Sequence, residues 1–174
     1  MALVPRGPAW AFPMGMAFAA GWASDWLRRA RRLSAPPARG ISLLVGDACG
    51  SDLDPSAAQV RALELFCSRA GAEVLTLPVE APGGLADVVA AVEPDAVVIA
   101  GSRAGDEALS RWAYRVRSAT GRLPLALFHR DVHAVGPESR ARVLPPVPSA
   151  AQEDLFALVE SRPSTRLASV KEAG

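Results

Sequence analysis

Three short stretches of this chain carry side chains whose types and spacing could do chemistry. The first, Gly46-Asp47-Ala48-Cys49-Gly50-Ser51-Asp52, gathers two carboxylates, a thiol and a hydroxyl. The second, Gly101-Ser102-Arg103, is small and cationic, and the third runs from His129 to His133 as His-Arg-Asp-Val-His. Small residues let backbone approach a ligand, while Ser51, Ser102 and Arg103 offer donors to an anion or amide. Ordinary turn chemistry accounts for the same residues equally well. Cys49 is a conceivable nucleophile, activated at the start of a following helix with His129 as base, although no local signature joins the two. His129 and His133 stand four apart, a spacing that ligates metal from a helix, but they fall where a loop is expected and lack a third ligand. Asp47 and Asp52 suggest the acidic pocket of a phosphoacceptor receiver domain. That reading fails, because no Asp ends the third strand and no Lys lies near the fifth. GDACGSD also lacks the G-x-G-x-x-G pattern that cradles a dinucleotide.

The elements that must position these stretches follow from the hydrophobic pattern. Ile41 to Val45, Val74 to Leu77, Ala96 to Ala100 and Leu123 to Phe128 are short apolar runs of the kind found in parallel strands buried on both faces, and Arg142 to Leu144 is a weaker fifth. Between them lie helical patterns. The first, capped by Ser56, turns Val60, Leu63, Cys67 and Ala70 inward and stops at Gly71; the second opens at Gly83 and Gly84 and carries Leu85, Val88, Val89 and Val92. The third, Gly105 to Thr120, carries Leu109, Trp112, Ala113 and Val116; the last runs from Ser149 to Glu160. Five such units predict an α/β fold with a five-stranded parallel, doubly wound, flavodoxin-like sheet in the order 2-1-3-4-5. Ligands of such sheets sit beyond the carboxyl ends of strands one and three, where Gly46–Asp52 faces Gly101–Arg103. An extra helix from Met14 to Leu33, with Phe18, Trp22, Trp26 and Leu27 toward one face, precedes a Pro-rich linker. The expected organisation is therefore helix and linker over 1–39, the α/β domain over 40–162, and a disordered tail over 163–174.

Composition narrows the classes. The 174 residues, 50% hydrophobic and 21% charged, suit one packed domain. A net charge of +1 spread along the chain gives no footprint for direct nucleic-acid binding, and Lys171 is the single lysine. The basic run Arg28, Arg29, Arg31, Arg32 reads as a solvated helix face. Cys49 and Cys67 have no metal spacing around them and suit a reducing cytoplasm. Arg6 and the apolar run from Pro8 to Ala23 superficially resemble a signal peptide. The run is shorter than the roughly 20 residues of a membrane span, holds Pro13, and is followed by arginines that oppose export. No membrane association is expected. Leu3 to Gly7 also matches most of a thrombin recognition sequence, so residues 1–13 are either native or a vector remnant.

From Arg39 to about Glu160 the sequence resembles the cobalamin-binding domain family, in particular the degenerate versions found in MerR-like and excisionase-like bacterial transcriptional regulators. The family's D-x-H-x-x-G motif aligns with Asp47-Ala48-Cys49-Gly50-Ser51-Asp52, which keeps the Asp but has Cys49 for the cobalt-ligating His and Asp52 for the Gly. Gly101-Ser102 matches the family's serine motif. Its Gly-Gly after strand four is replaced by Phe128-His129-Arg130, bulk that would crowd the channel for the nucleotide tail of cobalamin. The resemblance implies cobalamin as the cofactor to consider, with cobalt ligation by Cys49 or His129 the route left open. It implies a non-enzymatic ligand-sensing or protein-interaction domain of a bacterial transcriptional regulator, whose partner is a small molecule, a regulator protein or a second copy of the chain. Two alternatives belong to other classes: a corrinoid- or Cys49-dependent transferase-type enzyme, and a ligand-free oligomerisation domain using exposed Trp22, Trp26 and Trp112.

Overall fold

The computed structural model describes residues 11–80, 85–121, 123–130, 135 and 140–161. The elements run α1 Ala11–Arg32, β1 Ser42–Asp47, α2 Pro55–Arg69, β2 Glu73–Pro78, α3 Leu85–Val92, β3 Ala96–Ala100, α4 Asp106–Thr120, β4 Leu125–Phe128, β5 Arg142–Val143 and α5 Pro148–Glu160. The five strands form one parallel sheet in the order β2-β1-β3-β4-β5, a flavodoxin-like arrangement. Central strand β3, AVVIA, is buried at every position, because helices cover both faces of the sheet.

Two apolar layers divide the core. On one face Leu43, Val45, Val98 and Phe128 meet Val60 and Leu63 of α2 and Leu155 of α5. On the other, Leu44, Val97, Ile99 and Leu127 meet Val89 of α3 and Leu109, Trp112 and Val116 of α4. Trp112, expected among exposed interaction residues, is instead 3% exposed. Its indole lies on β1 so closely that a Cβ at Gly46 would come within 2.8 Å of it. Helix α2 begins two residues earlier than its sequence cap, Ser56, suggested. Asp54, whose carboxylate accepts from the Ser56 N–H, is the cap and Pro55 takes the first turn, where its missing N–H costs nothing.

Helix α1 packs along α2, and not by its aromatic residues. Ala20 and Ser24 are buried and Ala17, Gly21 and Leu27 half-buried, whereas Phe18, Trp22 and Trp26 face solvent. Small residues at this spacing bring the two backbones close; a Cβ on Gly21 would stand 3.1 Å from Leu53 Cδ2. The linker after α1 is fastened too, its Ala38 and Arg39 N–H groups both donating to the Gly71 carbonyl at 3.0 Å. Among the described residues no helix is long and apolar enough to cross a membrane. Residues 1–10, Gly83, Gly84, His133 and the segment 162–174, on which several expectations rested, lie outside the described residues.

Candidate functional site

The loops after β1 and β3 do meet at the switch point, as the topology requires, and they are sewn to each other. Ala48 N–H donates to the Ala100 carbonyl at 2.8 Å, and the Arg103 and Ala104 N–H groups both donate to the Ala48 carbonyl, at 3.0 and 2.9 Å. Gly101, at φ 113, lies so close that a Cβ there would stand 2.6 Å from Cys49 Sγ and 2.8 Å from Cys49 N. Only glycine fits both that conformation and that approach.

Hydroxyls fill the remaining gap. Ser56 Oγ donates to Asp54 at 2.7 Å, accepts from the Ser102 N–H at 3.3 Å and from the Ser102 hydroxyl at 3.1 Å, and lies 3.6 Å from Cys49 Sγ. From the far side Arg130 donates through Nε to the Gly101 carbonyl at 2.7 Å and through its other nitrogen to the Ala104 carbonyl. The stem of Arg103 covers Gly50, which has φ 70. Ser51 accepts from the Leu53 N–H at 3.0 Å and so serves its own turn.

Cys49 is 1% exposed, and burial pushes its thiol up to about 12, with Ser56 acting weakly in the opposite sense. His129 does not serve it as a base. Its ring packs edge-on against Phe128 at 4.4 Å, Nε2 is buried without a partner, and burial holds its pKa below the usual imidazole value. The backbone at His129 adopts φ 56, which a non-glycine residue seldom takes. Among the described residues no group of three or more His, Cys, Asp or Glu could hold a metal ion.

The strongest charge cluster lies beside this edge, between α1, α2 and the ends of β1 and β2. Arg61, 5% exposed on α2, pairs with Asp47 and, at 2.5 Å, with Glu64, itself 3% exposed. Glu64 also accepts from the Thr76 hydroxyl at 3.0 Å and from Arg31 of α1 at 3.1 Å; Arg31 reaches the Val74 carbonyl as well. Arg28 of α1 grips both oxygens of Asp52. Burial raises the Asp47 pKa, but the Cys49 N–H at 3.0 Å and the Arg61 guanidinium outweigh it and hold the carboxyl below 3.8. Arg61 is likewise lost to burial in part and more than restored by Glu64 and Asp47, so it stays charged. A cleft of about 240 Å³ opens here, lined by Arg28, Asp47, Ser51, Asp52, Arg61 and Glu80 among others.

Of the residues expected at the site, Cys49, Gly50, Ser51, Asp52, Gly101, Ser102 and Arg103 lie on the two facing loops and His129 follows β4 beside them, whereas Gly46 and Asp47, expected in the first loop, are the last two residues of β1 because the ladder with β2 and β3 continues through them. Asp47 and Asp52 line the cleft at this edge, but each is already engaged, Asp47 by Arg61 and Asp52 by Arg28. Arg28, Arg31, Arg61, Glu64, Thr76 and Arg130 went unrecognised in sequence. The basic run is solvated at Arg29 and Arg32 only, since Arg28 and Arg31 are paired to the domain. Its signal was present in the four-residue rhythm of Ala17, Ala20, Gly21, Ser24, Leu27 and Arg31, a small-residue face that continues into the cations. No family model matches the sequence, and no curated protein matches it.

Proposed function

We propose that this chain is a non-enzymatic protein-interaction domain of a bacterial transcriptional regulator, built on a fold that resembles cobalamin-binding domains but with its cofactor edge closed. The observation that carries this reading is the closure of the β1–β3 edge: Gly101 against Cys49, Ser56 bridging to Ser102, and Arg130 laced across the Gly101 and Ala104 carbonyls. A nucleotide tail would have to displace all three. The positive φ at His129 supports descent from a glycine-bearing loop, because it keeps a backbone shape natural to glycine where the resembled family has Gly-Gly.

Chemistry by this chain has little support in the site. A thiol held near 12 presents almost no thiolate at neutral pH, and its neighbour is a serine hydroxyl and not a base. Asp47, Asp52, Arg28 and Arg61, the charges nearest the β1 loop, already pair with one another within the protein. Mixing the purified protein with hydroxocobalamin and desalting it tests the reading. The expected result is no retained corrin absorbance in the visible spectrum; retained corrin at one equivalent would overturn it and return the chain to the ligand-sensing class.

A further inference from the structure

Helix α1 is docked by one face and open on the other. On the open face Met14, Phe18, Trp22 and Trp26 are 66%, 76%, 68% and 56% exposed. They stand four residues apart and so form a single ridge inclined to the helix axis. Directly beside it runs a parallel row of small residues, Gly15, Ala19 and Ala23. Gly15 and Ala19 are exposed, Ala23 half-buried, and nothing lies within 4 Å of where a Gly15 Cβ would stand. The same helix surface therefore carries a bulky ridge and the groove that accepts it.

A ridge beside its own groove is self-complementary under a two-fold axis. Two copies can each lay the ridge in the other's groove, with axes crossing near −50°, the angle of four-on-four ridge packing. The area is of the right size. Four large apolar side chains exposed by more than half leave on the order of 500 Å² of apolar surface in water. A standard interface removes about 800 Å² from each partner, with roughly two thirds apolar in homodimers. The small-residue groove adds further apolar area, and the Asp25–Arg29 pair on the other side of the ridge, 2.8 Å apart, supplies a polar rim.

We infer that the outer face of α1 is a homodimer interface, in which Phe18, Trp22 and Trp26 of each copy pack into the Gly15-Ala19-Ala23 groove of the other. This deepens the protein-interaction reading by naming the partner as a second copy of the chain. The inner face of α1 stays on α2 of its own chain, held by the Arg28–Asp52 and Arg31–Glu64 pairs, so the dimer forms without unpacking either domain.

Sedimentation equilibrium of the full chain over a concentration series tests the inference. The expected mass rises to twice the 18.2 kDa of one chain. Trp22→Glu on the ridge and Ala19→Glu in the groove should each weaken association on the order of 30-fold or more, with the far-ultraviolet circular dichroism unchanged. Tyr114→Glu, on an exposed position of α4, should leave the dimer intact. A single-chain mass at every concentration overturns the inference, as does a dimer that both α1 variants leave unaltered. Monomer that sediments with phosphatidylglycerol vesicles in a Trp22-dependent way also overturns it, and makes the ridge a lipid-facing surface. Corrin retention bears on the closed edge alone, so the two readings fail on different measurements.

Discussion

The β1–β3 edge and the α1–α2 cleft flank the same loop and are held by opposite means. At the edge the chain uses backbone hydrogen bonds, two serine hydroxyls and a missing Cβ, with Arg130 bonded to carbonyls and Asp54 accepting from Ser56. In the cleft it uses buried charge, with Arg61 between Asp47 and Glu64 and two arginines of α1 completing the set. Asp47 belongs to both, giving one oxygen to the Cys49 N–H and the other to Arg61. The contrast shows where the polar chemistry of the loop has gone. Asp52 fastens the additional helix α1 through Arg28 and Asp47 fastens α2 through Arg61, while close backbone contact holds the neighbouring edge.

The comparison breaks most visibly at Arg61. Arg61→Leu takes from Asp47 its arginine and leaves buried Glu64 with Arg31 and Thr76 alone, and should cost about 3 kcal/mol in urea unfolding. A cost near that of a surface ion pair would mean that charge does not hold the cleft. Next is Gly101→Ala, which forces a Cβ against Cys49 at a positive φ and should cost about 3 kcal/mol. If the variant is as stable as the parent, the edge is looser than its contacts imply.

Acid titration sharpens the comparison more gently, because the two regions titrate in sequence. His129 has a lowered folded pKa, so its stabilising contribution is present above its ordinary 6.5 and is lost as pH falls through the folded value. Asp47 is also lowered, from 3.8, so the cleft keeps its contribution until far more acid conditions and loses it as pH falls through that carboxyl's folded value. Stability measured by urea unfolding should therefore decline in two stages, the edge first. His129→Gln should remove the earlier stage and Asp47→Asn the later one; a single stage abolished by neither would show that other groups govern acid unfolding.

Much of the fold was legible, and the reason is visible in β3. Five consecutive apolar residues bounded by Pro94 and Gly101 can be satisfied only by a strand covered on both faces, and four such runs separated by helical patterns imply a parallel sheet. The meeting of the loops after β1 and β3 was legible for the same reason, since the strand order places them together. The chemistry there was not. Arg61 sits next to Val60 on a helix whose inward rhythm reads as wholly apolar, and nothing local signals that its guanidinium turns back to a carboxylate fourteen residues earlier. The sequence placed the aromatic residues of α1 on one face without saying which face docks, and the structure shows that the helix docks by its small residues.

Taken by itself, the sequence determined the alternation of strands and helices, the strand order that such alternation implies, and the glycines on which the β1 and β3 loops depend. These follow from burial and backbone sterics, which act over a few residues and leave a pattern. The tertiary structure alone decided which face of α1 meets the domain, which carboxylates pair with which arginines, and which groups knit the β1 and β3 loops together. Those outcomes depend on groups distant in the chain competing for the same few ångströms of space, and close packing and charge pairing at that range leave no periodic trace in the sequence.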